Sequence, residues 1–248
     1  MGLKKGCFEV IGHRGVAAKY PENTLLSFKT AVELGVDAVE FDVHRTRDGR
    51  LVVTHDHTVD RCSNGKGNIK DMTCDQLKAL DFGGWKGPEY TGLKIPTFQE
   101  TLDFIHGMKP DQYLLVELKD DDEGCTRAVL EELRTRGALA RTLVLSFHPR
   151  QLKLLRELEP KLMLQGFPDR YVKDAIPDAY QYYDKVCIWI SELTHEEVAS
   201  FHARGIKVDT CQIDDAKTLE KVVAFDVDSF TTNASHLILP LLREKGLR

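Results

Sequence analysis

Apolar and polar positions alternate along this chain in two registers, short apolar runs and longer amphipathic stretches, and the two succeed one another almost throughout. Residues 8–11 read as a strand, followed by a Gly-His-Arg-Gly turn and a helix over residues 24–34 that Gly35 stops. A second strand spans residues 38–44. It ends at the turn Arg47-Asp-Gly-Arg50, and residues 51–54 read as its hairpin partner. Residues 57–95 break the rhythm: they are rich in Gly, Asp and Lys, hold one short helix over 74–80, and are too long for an ordinary connection. They are expected to form an excursion over the mouth of the fold.

After Pro96 the alternation is regular. Helices are expected over residues 97–106, 123–136, 149–158, 194–204, 216–224 and 236–245, and strands over 113–118, 142–147, 161–167, 185–190, 206–211 and 228–232. An irregular segment separates the fifth and sixth principal strands. Strands that alternate with helices pair in parallel through right-handed crossovers, and eight such units close a (β/α)8 barrel. The expected class is therefore α/β, a single TIM-barrel domain over residues 1–248 with a small insertion after the second strand. A doubly wound open sheet is the alternative, disfavoured because no GxGxxG or GxxxxGK[ST] motif opens a helix.

The second strand carries an anomaly. Val39, Phe41 and Val43 make it apolar on one face, whereas Glu40 and Asp42 share the other. Two buried carboxylates without a partner would cost several kcal/mol, so a cation is required there. A divalent metal ion and a pair of Arg or Lys partners are both admissible from this strand alone.

The barrel narrows the choice, because reactive groups of such barrels gather at the C-terminal strand ends. Those ends bear His13 and Arg14, Glu40 and Asp42, His55, Glu117 and Lys119, and the stretch from Ser146 to His148. Three carboxylates suit Mg2+ or Ca2+ better than zinc, since neither thiolate nor a ligand-spaced histidine pair accompanies them. Arg14 and Lys119 add positive charge suited to a phosphate. His13 and His55 can exchange protons near neutral pH, which gives phosphodiester cleavage an acid and a base.

Composition limits the partners. A net charge of -5 and a pI near 6.0, without a basic block, argue against nucleic acid or an anionic membrane. No apolar run approaches the length of a membrane span, the first strand leaves no room for a secretory leader, and Gly6 does not fit a myristoylation signal. Six scattered cysteines, Cys7 among them, lack metal spacing and read as reduced thiols of a cytoplasmic protein.

His13-Arg-Gly15, Pro21-Glu-Asn-Thr24, Glu40-Phe-Asp42, Asp48-Gly49, His55-Asp56 and Glu117-Leu-Lys119 together resemble the signature of glycerophosphodiester phosphodiesterases. The resemblance is densest from Ile11 to Glu117, and Arg61, Asn64-Gly-Lys-Gly67 and Ile95-Pro-Thr97 resemble the family's insertion and its rejoining point. It implies a TIM barrel that hydrolyses glycerophosphodiesters to glycerol 3-phosphate and an alcohol with Mg2+ or Ca2+. By the same resemblance Glu40, Asp42 and Glu117 are metal ligands, His13 and His55 the acid/base pair, Glu22 a supporting residue, and Arg14 and Lys119 phosphate holders.

The carboxy-terminal half departs from that pattern. Cys211 stands where the family usually has Trp on the seventh strand, and the eighth strand ends Phe230-Thr-Thr-Asn-Ala-Ser235 where an Asp and a Pro are common. Neither change is expected to touch metal or acid/base chemistry. Phe147 is expected either to wall the substrate pocket or to pack in the core; His44, His57 and His148 near the rim have no assigned role. A small-molecule substrate is the expected partner. The alternatives are lysophospholipase D or lyase chemistry, and a phosphate-binding barrel without turnover.

Overall fold

The computed structural model describes residues 8–248; Cys7 and Gly6, and with them the readings of the chain's start, lie outside that range. The barrel strands are β1 (Glu9–Gly12), β2 (Ala38–Arg45), β4 (Tyr113–Leu118), β5 (Thr142–Leu145), β6 (Met163–Gly166), β7 (Lys185–Trp189), β8 (Lys207–Cys211) and β9 (Ser229–Thr232). All pair in parallel in chain order, and β1 pairs with both β2 and β9, so the sheet closes. The chain is a TIM barrel. The ninth strand, β3 (Leu51–Val53), is the antiparallel hairpin partner of β2.

Helices α1 (Leu25–Leu34), α3 (Phe98–Met108), α4 (Glu123–Thr135), α5 (Pro149–Leu158), α6 (His195–Ala203), α7 (Ala216–Val223) and α8 (Ser235–Glu244) form the outer layer, and α2 (Cys74–Ala79) belongs to the insertion. Two single 3-10 turns, Asp169–Tyr171 and Ala179–Tyr182, replace a helix between β6 and β7. Local chemistry sets the boundaries. Thr24 accepts from the Ser27 amide to start α1, and Gly35 at φ 85° ends it. A Thr97/Glu100 capping box starts α3, and Pro149 opens α5.

Strand parity separates packing from chemistry. On β2, Val39, Phe41 and Val43 are fully buried against the helical layer. Phe41 lies 5.5 Å from Phe28 of α1 and 6.1 Å from Phe98 of α3 between ring centroids. Truncating it to alanine would cost about 3–5 kcal/mol. Alternate residues point into the lumen, where Ile11, Leu115, Leu145 and Cys187 form a small apolar layer. The polar residues Lys185, Ser229 and Asp209 are also buried: Ser229 donates to Asp209 Oδ1 at 2.5 Å and accepts from Lys185 Nζ at 3.0 Å.

Several expected strands end earlier than their apolar runs. The run over 142–147 stops at Leu145, because the Ser146 hydroxyl donates to Leu118 O and accepts from the His148 amide, turning the chain. The insertion has a core of its own, with Val59, Ile69, Leu77 and Phe82 buried among each other. It stands on the rim beside the β1–α1 loop, to which Lys86 Nζ donates at Ala17 O (2.7 Å) and Tyr90 offers its ring to Tyr20. No helix among the described residues is long and apolar enough to cross a membrane.

Candidate active site

The C-terminal strand ends converge as their positions require. Asp42 and Glu117 are directly paired across β2 and β4, and Glu40 shares the Asp42 face. Oxygens of Glu40, Asp42 and Glu117 all lie within 4.8 Å of one another, and all three residues are buried. His13 and Arg14 follow β1, His55 follows the hairpin strand, and Lys119 follows β4. Together they line a cavity of about 200 Å³.

The Arg14 amide donates to Glu40 Oε2 (2.7 Å), and Asn23 Nδ2 donates to Asp42 Oδ2 (2.7 Å). Arg14 Nε stands 3.4 Å from the same Asp42 oxygen, and Lys119 Nζ stands 2.7 Å from Glu117 Oε1 and 3.6 Å from Asp42 Oδ1. Arg and Lys pairing is therefore present, at the edge of the acidic group. Two cations do not neutralise three carboxylates, and Asp42 Oδ1 is buried with no hydrogen-bond partner. Burial, reinforced by Asp42, pushes the Glu40 carboxyl well above its ordinary range, and burial raises Glu117. Burial works to raise Asp42 as well, but Lys119 and Arg14 outweigh it and hold Asp42 far below its ordinary value. An orphan oxygen amid unneutralised acidic side chains, with no thiolate or imidazole in the set, fits a hard divalent cation.

Backbone strain marks the same place. Arg14 (φ 49°) and Asn23 (φ 58°) are non-glycine residues in the left-handed region, an arrangement that costs about 1–3 kcal/mol each and concentrates at functional sites. Between them Gly15 (φ 88°) lies against Ser27, where a Cβ would meet backbone atoms at 2.6 and 2.7 Å. No other residue fits there.

Both imidazoles are held from behind. His13 Nδ1 is 2.6 Å from Asn233 Oδ1, and His55 Nδ1 is 2.7 Å from Asp56 Oδ1. An acceptor oxygen at Nδ1 places the proton there and leaves Nε2 of each ring with its lone pair for the cavity. Burial, then Arg14, lowers His13 to about 4, and burial lowers His55. Asp56 is gripped by Arg61 Nε (2.8 Å), whose two terminal nitrogens reach Glu22 at 3.0 and 2.7 Å. Glu22 in turn accepts from Arg14 Nη1 at 2.8 Å, so it joins the insertion to the rim.

Phe147 lies on the facing wall, stacked on Phe167 with centroids 3.6 Å apart. Trp189 extends that wall, stacked on Tyr171 at 4.0 Å and 40% exposed. Trp85 and Tyr90 stand outside the cavity lining.

Residues without an expected role complete the site. Asn23 lies in the Pro-Glu-Asn-Thr turn, Asp56 directly follows His55, and both could have been read from those motifs. Asn233 and Gln212 could not, because they come from the other end of the chain; Gln212 Nε2 is 3.2 Å from His13 Nδ1 and its Oε1 accepts from Asn233. The last-strand departure was not expected to touch the groups read as acid and base, yet Asn233 contacts one of them, His13, directly. Cys211 lines the cavity with its Sγ 3.5 Å from Cys187 Sγ, opposite Trp189 in the strand register.

Residues 13–237 match the model of the glycerophosphoryl diester phosphodiesterase family. A glycerophosphodiester phosphodiesterase of Caldanaerobacter subterraneus is 31% identical over 245 residues, covering 96% of this chain and 98% of its own length. A putative glycerophosphodiester phosphodiesterase of Bacillus subtilis is 32% identical over 93% of this chain and 96% of its own. Among solved structures, a putative glycerophosphoryl diester phosphodiesterase of Silicibacter pomeroyi superposes with a TM-score of 0.87 at 28% identity, covering 97% of this chain and 94% of that one. A phosphodiesterase of Oleispira antarctica in complex with the product sn-glycerol-3-phosphate superposes at 0.83 with 29% identity, over 94% and 96% of the two chains.

Proposed function

The chain belongs to the glycerophosphoryl diester phosphodiesterase family and is an enzyme of that family, and from this premise we propose that it hydrolyses glycerophosphodiesters to glycerol 3-phosphate and an alcohol by histidine acid/base catalysis with a divalent cation, Mg2+ or Ca2+. The observation that carries the proposal is the orphaned Asp42 oxygen among three converging carboxylates, two of which, Glu40 and Glu117, line the cavity that His13 and His55 also line. The glycerol 3-phosphate complex of the Oleispira enzyme supports the same substrate class.

Glu40, Asp42 and Glu117 would hold the cation. When bound, it supplies positive charge against the phosphate oxygens, where charge develops during transfer. Arg14, steadied by Glu22, and Lys119, steadied by Glu117, add fixed positive charge to the same cavity. One imidazole Nε2 takes the proton of the attacking hydroxyl, either the glycerol hydroxyl next to the phosphate or water. The other, protonated, gives its proton to the departing alcohol oxygen as the P–O bond breaks. If glycerol's own hydroxyl attacks first, water opens the resulting cyclic phosphate with the two histidines exchanging parts. Phe147 walls the alcohol side.

Trp85 is the one exposed large hydrophobic side chain of the insertion, which leaves little apolar surface at the rim for an acyl chain and disfavours lysophospholipase D chemistry. The phosphate-binding barrel without turnover is set aside by family membership. We further read the chain as one domain, with its five described cysteines as free thiols of a cytoplasmic protein.

The test is release of glycerol 3-phosphate from diesters with choline, ethanolamine, glycerol and inositol head groups, with EDTA and with each metal restored. Chelator-sensitive release that His13→Ala and His55→Ala abolish is the expected result. No release from any of the four diesters with either metal would overturn the proposal.

A further inference from the structure

We propose that His44, His57 and Asp120 form a second cation site, for a zinc-class transition ion, on the rim next to the oxygen cluster. His44 Nδ1 is 2.7 Å and His57 Nδ1 3.8 Å from Asp120 Oδ1, and the three donor atoms lie within 4.8 Å of one another. Two imidazoles and one carboxylate are the donor set of a borderline-soft ion, in contrast to the three carboxylates nearby.

The surroundings of His44 are the independent argument. Its ring is buried, and both nitrogens face oxygen acceptors: Nδ1 the Asp120 carboxylate, Nε2 the His55 carbonyl at 3.1 Å. A neutral imidazole has one N–H and satisfies only one of them, so the pocket is built for a ring that carries either a second proton or an ion on Nδ1. With an ion on Nδ1 the remaining proton sits on Nε2 and is donated to the His55 carbonyl, the backing that metal-bound histidines habitually have. Asp120 is prepared in the same way, because its Oδ2 accepts from the Arg45 amide (2.8 Å) and Oδ1 is left for the ion. Neighbouring ligands on a tetrahedral zinc ion are about 3.3 Å apart, so a small rotation of Asp120 accompanies binding. His57 is the exposed ligand, with 69% of its side chain accessible.

The ligands sit beside the catalytic candidates in sequence: His44 two residues after Asp42, His57 two after His55, Asp120 next to Lys119. An ion here ties the end of β2, the segment after β3 and the end of β4 together, and fixes the backbone that carries His55.

The test is calorimetric titration of the Mg2+-saturated protein with zinc chloride, with Co2+ absorption as a second readout. One zinc ion per chain is expected in the presence of Mg2+. His57→Ala, an exposed residue outside the catalytic set, should weaken it by at least about a hundredfold and leave Mg2+-supported turnover unchanged. Co2+ should give the visible bands of a nitrogen-containing site, lost in the same variant. Zinc affinity unchanged in His57→Ala, or lost in Asp42→Asn while retained in His57→Ala, or no zinc bound at all, would each overturn the proposal.

Discussion

His13 and Asn233, each the first residue beyond a strand end, meet at 2.6 Å between Nδ1 and Oδ1, and β1 pairs with β9 through Gly12 and Thr232 just beneath them. Barrel closure thus brings the two ends of the chain together at the imidazole. Asn233→Ala removes the acceptor that orients the ring, and kcat is expected to fall by about tenfold to a hundredfold. Asn233→Asp puts a carboxylate against Nδ1, which favours the imidazolium and raises the His13 pKa from its low value near 4. The limb of the pH–rate profile that reports His13 should then move to higher pH. A profile that keeps its position while kcat falls would show Asn233 to be structural only.

The acidic cluster gives a stability readout separate from turnover. An ion held at a hundred times its dissociation constant stabilises the folded chain by about 2.7 kcal/mol. Thermal melts of the chelated protein should therefore rise on adding Mg2+ or Ca2+, and Asp42→Asn should abolish most of that rise. The chelated variant should itself melt lower than the chelated wild type, because asparagine removes the charge that Arg14 Nε and Lys119 Nζ face, so the metal-induced rise within each protein is the quantity compared. An equal metal-induced rise in both proteins would remove Asp42 from the ligand set.

The sequence carried the barrel because β2 and its neighbours obey strand parity: Val39, Phe41 and Val43 outward, Glu40 and Asp42 inward. The same parity exposed the acidic pair, since a carboxylate in an apolar strand has no packing rationale. Asp56 and Asn23 were visible as neighbours of motif residues but not as partners, because a hydrogen bond depends on side-chain direction that spacing does not specify. Asn233 and Gln212 were invisible for a different reason: their contact with His13 exists only once the sheet closes, about two hundred residues away in the chain. The aromatic wall was similarly hidden, as the Tyr171–Trp189 stack joins an irregular segment to the end of β7.

Arg61 offers a test of how the insertion serves the site. Its guanidinium bridges Asp56, which orients His55, and Glu22, which orients Arg14. Planar forked donation is what the bridge uses, so Arg61→Lys should behave much like Arg61→Ala. Both are expected to lower kcat about tenfold with little change in melting temperature, since the side chain is 43% exposed. Steady-state kinetics with circular dichroism melts decides it. A parallel loss of melting temperature and kcat would make Arg61 a stability element.

Trp189 and Phe147 bear on which alcohol the enzyme prefers. In the proposed reaction the phosphate takes the side of the cavity that Glu40, Glu117, Arg14 and Lys119 line, and the departing alcohol takes the aromatic side, where Trp189 is partly exposed. A quaternary ammonium group next to an indole face gains about 0.5–2 kcal/mol, whereas an uncharged glycerol gains little of that. Trp189→Ala should accordingly raise KM for the choline diester by about twofold to thirtyfold and leave the glycerol diester nearly unchanged. Phe147→Ala, which removes an apolar surface stacked on Phe167, should raise KM for both diesters alike. Competition assays with the two diesters in one reaction measure the ratio directly, and an unaltered ratio in Trp189→Ala would place the choline group elsewhere than the aromatic wall.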